Sequence, residues 1–249
     1  MEAKTTQSKN KKGGLRLKSQ KLRAKILSSY YGNPIKDMKL IAITGTTGKT
    51  TVAHYIYEIL RSAGKQVAVL ASDKPFKTSM LHKFFSDAWK ANADYVIVTV
   101  PEKSLQEQVF YNLPIHIAVM TNFVTSSLSD MTPEEYLNNE KILFNMHPEI
   151  IILNHDDPNY SVFSEFKGNK ATYDFGQSGN HVKILNSKLY RHGTEASLSI
   201  NSKIISVATF IPGEITVSYM AAATTIAHAL NLKTEHIIDG IANYQPDQL

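Results

Sequence analysis

The stretch KLIAITGTTGKTTV, residues 39–52, decides the fold. It opens with the apolar run Lys39 to Thr44, which predicts a buried strand. After the loop, apolar residues recur at helical spacing until Gly64 supplies a stop: Val52, Tyr55, Ile56, Ile59, Leu60 and Ala63. The sequence therefore predicts a strand, a glycine-containing loop and a helix, in that order.

The loop between this strand and helix has the composition of a phosphate-binding loop. A glycine-rich turn at this place gathers backbone N–H groups and the positive end of the helix dipole at one point. Gly45 and Gly48 permit such a backbone. Lys49 would reach the outer phosphates of ATP, and the Thr50 hydroxyl is placed to ligate Mg2+. The predicted ATP site is completed by three neighbouring threonines: Thr46, Thr47 and Thr51.

The loop departs from the generic phosphate-loop pattern at one position. The pattern G-x-x-x-x-G-K-[ST] requires glycine at position 43, where this chain has Ile43. An ordinary strand-to-helix turn with an incidental lysine is the alternative. Because the strand, the loop, Gly-Lys-Thr and the amphipathic helix follow in the required order, we interpret the loop as a nucleotide-binding site.

Further apolar runs indicate the rest of the fold. They are Val67 to Ala71, Tyr95 to Val100, His116 to Thr121 and Ile150 to Asn154, separated by stretches of helical composition such as Met80 to Ala91 and Pro133 to Phe144. Strands without inside-outside alternation, spaced by helices, are typical of a parallel sheet covered on both faces. The predicted fold is a doubly wound α/β domain. Short strand candidates after Thr172 predict a small additional β-sheet, and Val217 to Leu230 predicts a late helix.

Composition bounds the class of protein. The 249 residues are 43% hydrophobic and 20% charged, the balance of a soluble globular protein. The absence of cysteine excludes disulfides, cysteine-containing zinc sites and a thiol nucleophile, which fits a reducing compartment. No membrane span is predicted, because the weakly polar stretch Val217 to Leu230 is shorter than the roughly 20 residues that a spanning helix needs. We expect a cytoplasmic location.

Positive charge is concentrated at the start of the chain. Residues 1–25 hold nine Lys or Arg against the single Glu2. This composition predicts a solvated, disordered leader, with weak contact to nucleic acid or anionic surfaces as the alternative. A short helix is expected over Lys21 to Tyr31, and the folded domain is expected over residues 26–245.

The loop Ile43 to Thr51 resembles the shortened phosphate loop of the Mur ligases, ATP-dependent amide-forming enzymes of peptidoglycan synthesis. The resemblance covers about residues 22 to 245 and is strongest with the members that make the UDP-N-acetylmuramoyl tripeptide. Further similar segments follow in the family's order: Lys77-Thr78-Ser79, Thr121-Asn122, Tyr136 to Phe144, Asn154 to Pro158 and Pro212-Gly213.

The resemblance is to the central, ATP-binding domain of these ligases. It implies that a UDP-muramoyl-peptide carboxylate is activated as an acyl phosphate, from which an amino acid displaces phosphate to form an amide. The family's N-terminal UDP-sugar domain and C-terminal ligase domain are not represented in the 249 residues. A fragment and a naturally shortened relative are both consistent with this expectation.

The resemblance also implies which residues contact the nucleotide. Asn122 follows the strand beside the phosphate loop, and Asp156 and Asp157 stand at a later strand end. Acidic residues at such places also cap turns and helices, and this alternative stays open for both. At the entry of the late helix, the asparagines that relatives place near adenine are replaced, with Thr216 and Tyr219 in this region.

Three positions depart from the metal site that the resemblance implies. Thr99 stands in place of a metal-binding glutamate, Ser127 in place of a histidine and Glu140 in place of a carbamylated lysine. Glu102 could replace the missing glutamate, or it could be an ordinary surface carboxylate. Glu140 could replace the carbamate as an anionic oxygen donor, or it could face solvent.

The predicted metal ligands are therefore Thr50, Glu102 and Glu140, and the predicted catalytic residues are Lys49 and Glu140. Three hypotheses follow. The chain is the ATP-binding domain of a Mur-type ligase, a non-catalytic nucleotide-binding relative that acts as scaffold or regulator, or a different phosphate-loop ATPase with a basic contact segment.

Overall fold

The structure, a computed structural model, describes residues 17–127 and 131–246 of the chain. Its nine strands are β1 (Lys39–Thr44), β2 (Val67–Leu70), β3 (Tyr95–Thr99), β4 (Ile115–Met120), β5 (Ile150–Asn154), β6 (Ala171–Gly176), β7 (Val182–Tyr190), β8 (Gly193–Ile200) and β9 (Lys203–Thr209). They form a single sheet in the order β2-β3-β1-β4-β5-β6-β7-β8-β9. The strands from β2 to β7 pair in parallel, and the apolar runs predicted this for β1 to β5.

Helices cover both faces of the sheet. They are α1 (residues 17–30), α2 (Lys49–Ser62), α3 (Thr78–Lys90), α4 (Glu102–Gln106), α5 (Pro133–Phe144), α6 (Tyr160–Phe163), α7 (Ile215–Ala229) and α8 (Thr234–Asn243). Within β1, Ile41 and Ile43 pack in the core under α2, α7 and α8, whereas Leu40 and Ala42 pack in the core under α3, α4 and α5. A strand buried on both faces explains why β1 reads as an unbroken apolar run.

The topology places the phosphate loop at the usual ligand position of such folds. Strand β1 lies between β3 and β4, so the connections that leave β1 and β4 run to opposite sides. Ligands of open α/β sheets bind outside the carboxyl ends of the strands at this switch point. The loop that follows β1 at Thr44 and the end of β4 at Met120 meet there.

The late strands, predicted as a small additional sheet, continue the main sheet. Strand β6, not predicted as a parallel strand, pairs with β5 over five residues and extends the main sheet. Strand β7 then starts beside the end of β6, with only Phe175↔Val182 and Gly176↔Lys183 paired. Because only the strand ends overlap, a short connection replaces the crossover that parallel strands ordinarily need. The antiparallel pairing of β7, β8 and β9 agrees with the prediction.

The prediction of a disordered leader over residues 1–25 is wrong for its described part, residues 17–25. Residues 17–30 are helical, so helix α1 begins before Lys21, and residues 1–16 lie outside the described part of the chain. Ala24 is buried against the domain, and the ammonium groups of Lys21 and Lys25 lie 4.8 and 5.9 Å from the centre of the Tyr111 ring. These contacts attach α1 to the domain, which the composition of the segment does not predict. None of the described helices has the length and apolarity to cross a membrane.

Candidate functional site

Two glycines allow the loop after β1 to pass close to its neighbours. Gly45 has φ 124° and Gly48 has φ 79°, which L side chains rarely adopt. A Cβ at Gly45 would lie 2.1 Å from Thr121 Oγ1, and a Cβ at Gly48 would lie 2.1 Å from Cε1 of Tyr219. The loop is therefore clamped between the end of β4 and helix α7 with no room for a side chain at either glycine.

Gly48 and Gly64 provide a test of this clamp, because they flank the same helix with nearly equal φ, 79° and 72°. A Cβ at Gly64 meets nothing within 4 Å. Gly64→Ala should therefore cost only the left-handed strain, about 1 kcal/mol. Gly48→Ala should cost about 1–3 kcal/mol more in the free energy of unfolding measured by urea denaturation, because the Tyr219 ring must move.

The excess cost of Gly48→Ala should be recovered largely when Tyr219→Ala is introduced as well. A double-mutant cycle isolates this coupling from the packing that Tyr219 loses by itself. Equal costs for Gly48→Ala and Gly64→Ala would contradict the close approach of helix α7 to the loop.

Asn122 shapes the loop from beneath. Its backbone oxygen accepts the Thr46 N–H at 3.0 Å, and its side-chain oxygen accepts the Thr47 N–H at 3.0 Å and the Thr46 hydroxyl at 2.9 Å. The Thr121 hydroxyl donates to the Thr47 carbonyl at 2.8 Å, and the Tyr219 hydroxyl donates to Thr47 Oγ1 at 3.0 Å. Asn122 thus holds the phosphate loop in position, and direct contact between Asn122 and a nucleotide stays a prediction.

Lys49 is the first residue of α2 and lies almost completely buried. Its ammonium donates to the Gly45 carbonyl at 2.8 Å and the Thr46 carbonyl at 3.4 Å, and lies 3.7 Å from a carboxylate oxygen of Asp73. Gly48, the N-cap of α2, has no side chain with which to cap the helix. The first amides of α2, with their partial positive charge, are therefore available to an anion beside the Lys49 ammonium.

Glu140 is fully buried, so the alternative that it faces solvent is wrong. The Thr44 hydroxyl donates to its Oε2, whereas its Oε1 has no hydrogen-bond partner within the described residues. Burial raises the pKa of Glu140 to about 7, although the Thr44 and Tyr136 hydroxyls and the charge of Lys49 act in the opposite direction. A buried carboxylate with one unpartnered oxygen next to the phosphate loop fits a cation ligand.

The other positions of the implied metal site have different surroundings. Thr99 is buried, where its hydroxyl accepts the Ser72 N–H at 2.8 Å and donates to the Ser72 carbonyl at 3.0 Å. Thr99 therefore ties β3 to the segment after β2. Glu102 begins α4, and its charge contributes to the raised pKa of Glu140, so these two carboxyls share one neighbourhood. Ser127 ends the short 3-10 turn Thr125–Ser127.

The structure places Asp156 and Asp157 as caps of turns. Asp156 accepts the backbone N–H groups of Gln177 and Ser178, in the connection from β6 to β7. Asp157 accepts the N–H of Phe123 and, at 2.8 Å, that of Asn159. Their part in nucleotide binding remains a prediction.

Thr50 and Thr51 lie half-buried in the first turn of α2.

Sequence reasoning missed the contacts that two residues make with the loop. Asp73 belongs to the segment after β2, and its side chain is 80% exposed beside the buried ammonium of Lys49. Tyr219 stands on α7, where its ring covers Gly48 and its hydroxyl reaches Thr47. The end of the strand before Asp73 was predicted. It could have indicated that Asp73 lies at the carboxyl ends of the strands, where the loop also lies. No local pattern indicates that Tyr219 contacts a loop far away in the sequence.

Comparisons with known proteins show similarity to one enzyme family. Residues 43–227 match the family model of the Mur ligase middle domain. The UDP-N-acetylmuramoyl-L-alanyl-D-glutamate–2,6-diaminopimelate ligase of Clostridium botulinum is 30% identical over 210 residues, which cover 79% of this chain and 43% of that protein. The ligase of the same name from Caldanaerobacter subterraneus is 28% identical over 235 residues, which cover 88% of this chain and 48% of that protein. The chain spans about half the length of these curated relatives.

Solved structures show the same fold. A structure of a UDP-N-acetylmuramoyl-L-alanyl-D-glutamate–2,6-diaminopimelate ligase superimposes with a TM-score of 0.81 at 19% identity, over 93% of this chain and 51% of that one. The MurF ligase from Thermotoga maritima in complex with ADP gives a TM-score of 0.69 at 16% identity, over 89% of this chain and 52% of that one. The doubly wound, mostly parallel architecture is thus shared with these ligases.

Proposed function

Because this chain belongs to the Mur ligase family, whose middle-domain model matches residues 43–227, we propose that it binds ATP with Mg2+ on the loop Thr44 to Thr51. In this proposal the bound ATP activates a UDP-muramoyl-peptide carboxylate as an acyl phosphate. An amino acid then displaces phosphate to form the amide bond. The chain would perform the ATP-binding part of this reaction, and regions outside its 249 residues would complete it.

The clamped loop is the observation that carries the proposal. Asn122 accepts the Thr47 backbone N–H, and Tyr219 donates to the Thr47 hydroxyl, so the loop is held with the first amides of α2 beside the Lys49 ammonium. Groups that are positioned before the reaction stabilise charge on phosphoryl oxygens at little reorganisation cost. Lys49 would hold the outer phosphates. Its positive charge would stabilise the negative charge on the phosphoryl oxygens during transfer.

Electrostatics around the loop support a requirement for a divalent cation. The Lys49 ammonium lies 3.7 Å from Asp73, and its charge acts on Glu140, which Glu102 also influences. The Thr50 hydroxyl, Glu140 and Glu102 would hold Mg2+, which when bound neutralises charge on the phosphoryl oxygens. Without the cation, these carboxyls would repel the triphosphate.

We therefore expect ATP binding to depend on Mg2+. Calorimetric titration with ATP should show binding in the presence of Mg2+ and at least about tenfold weaker binding after chelation with EDTA, since each uncompensated charge contact costs more than 1 kcal/mol. AMP, which lacks the outer phosphates, provides the control and should show little dependence on Mg2+. Equal ATP affinity with and without Mg2+ would contradict a cation site at Glu140.

Ligase activity is tested by phosphate release. The chain should release phosphate from MgATP when a UDP-muramoyl peptide and an amino acid are supplied together with the C-terminal domain of a relative. Product formation is followed by mass spectrometry of the extended peptide. Absence of any ATP affinity would sink the proposal as a whole.

A non-catalytic relative is the second candidate, and the surroundings of Thr99 favour it. The Thr99 hydroxyl is occupied by two hydrogen bonds to Ser72, and it offers no carboxylate where the resemblance implies a metal ligand. This candidate predicts tight MgATP binding without phosphate release, even with the C-terminal domain added. Turnover in the same assay would exclude it.

A further inference from the structure

A cavity lies near the amino ends of the strands, whereas the phosphate loop lies at their carboxyl ends. It has a volume of about 450 Å3, within the range of small-molecule sites, roughly 300–1,000 Å3. The segment Leu113-Pro114 in its wall leads into the amino end of β4, whereas the phosphate loop follows the carboxyl end of β1. The cavity therefore lies toward the opposite ends of the strands from the phosphate loop.

The wall of the cavity is mostly apolar. Leu105, Phe110 and Leu113 are buried there, and Ile142 and Met146 add the C-terminal part of α5 and the residues after it. Side-chain amides at the rim offer hydrogen-bond donors: Gln108, Asn112 and Asn145. This combination of apolar wall and a few polar groups is typical of sites for small organic molecules.

Positive charge surrounds the same cavity. Lys36 lines it, and Tyr111, which also lines it, carries the ammonium groups of Lys21 and Lys25 above its ring, at 4.8 and 5.9 Å. None of the three lysines forms a salt bridge with another described residue, and the described lining contains no Asp or Glu. Cations without an acidic partner next to an apolar wall attract an anion with an apolar body.

We propose that this cavity binds a small organic anion with an apolar body, such as an aromatic or alkyl sulfonate, carboxylate or phosphate. The anionic group lies beside Lys36, with Lys21 and Lys25 adding positive potential. The apolar body packs on Phe110 and Leu113. The cavity shares no residue with the proposed ATP site.

Two fluorescent probes with the same apolar body test the proposal on the full chain. Anilinonaphthalene sulfonate carries the anionic group, and phenylnaphthylamine lacks it. The sulfonate should bind at least about tenfold more tightly, since a hydrogen bond to a charged group contributes about 1.5–3 kcal/mol. Equal affinity for the two probes would overturn the anion preference.

Two variants locate the binding. Lys36→Gln should weaken sulfonate binding about tenfold and leave the neutral probe within about twofold, whereas Lys90→Gln on the exposed end of α3 should change neither. Asn145→Trp, directly after the end of α5, should fill the mouth of the cavity and weaken the binding of both probes at least about tenfold. Asn138→Trp is its control, because Asn138 is exposed on α5 and does not line the cavity.

Unchanged binding of the sulfonate in both Lys36→Gln and Asn145→Trp would overturn the site. Thermal unfolding of each variant is measured beside the titrations, because partly unfolded proteins also bind such dyes. Lys49→Ala should leave sulfonate binding unchanged, so a failure of this site is distinguishable from a failure of the ATP site.

Discussion

Lys49→Ala is expected to lower the affinity for MgATP by at least about 100-fold. The ammonium of Lys49 is held at the start of α2 by the carbonyls of Gly45 and Thr46, where it would contact the outer phosphates. Each charge-assisted contact contributes about 1.5–3 kcal/mol, so losing two corresponds to roughly 100-fold or more. Isothermal titration calorimetry at fixed Mg2+ measures the loss.

Lys65→Ala is the matched control, since Lys65 is exposed just beyond the other end of α2. Its MgATP affinity should stay within about twofold of the unmodified chain. Urea unfolding without nucleotide shows whether Lys49→Ala is still folded. A folded Lys49→Ala protein that binds MgATP within threefold of the unmodified chain would contradict the assignment of Lys49.

Glu140→Gln is expected to stabilise the free protein at pH 8 and to weaken the binding of MgATP. The folded protein binds the Glu140 proton with a pKa of about 7, against an ordinary value near 4.5. Stability from this group is therefore fully present below about pH 4.5 and is lost as pH rises through about 7. At pH 8 the buried charge costs roughly 3 kcal/mol, and an uncharged glutamine avoids this cost.

The free energy of unfolding in urea, measured at pH 5 and pH 8, checks the sign. Glu140→Gln should gain roughly 3 kcal/mol over the unmodified chain at pH 8 and about 1 kcal/mol or less at pH 5. Its MgATP affinity should fall about tenfold or more, because a neutral amide replaces an anionic oxygen donor. Glu134→Gln, exposed in the first turn of the same helix, should change the unfolding free energy by less than about 0.5 kcal/mol.

The two readouts separate the claims about Glu140. No difference between pH 5 and pH 8 would show that its carboxyl is not held in a desolvated site. A stabilised variant with unchanged MgATP affinity would keep the buried carboxyl but remove it from the cation site.

Local patterns predicted much of this fold from the sequence. The predicted bounds of β1, Lys39 to Thr44, agree with the structure, because a strand buried on both faces is apolar at almost every position. The predicted helix Pro133 to Phe144 agrees as well. Its start is determined by neighbours: Thr132 and Glu135 form a capping box, and Pro133 suits the first helical turn. The phosphate loop was found for the same reason, since all of its groups lie within eight consecutive residues.

Local patterns did not predict that β6 joins the main sheet or that Glu140 is buried. A glutamate in a helix is ordinarily exposed, and α5 is only weakly amphipathic, so its period did not show which face is buried. The partner of Glu140, Thr44, is 96 residues away. Strand β6 escaped prediction as part of the main sheet because its pairing with β5, rather than its own composition, gives it that role.

The sequence by itself thus determined the strand, loop and helix of the phosphate cradle, because the required backbone and side chains are adjacent in the chain. Only the tertiary structure decided what surrounds the cradle. Tyr219, 172 residues beyond Thr47, covers Gly48, and Asp73 contacts Lys49 from the segment after β2. Contacts of this kind depend on the packing of whole elements against each other, which no periodicity within one element encodes.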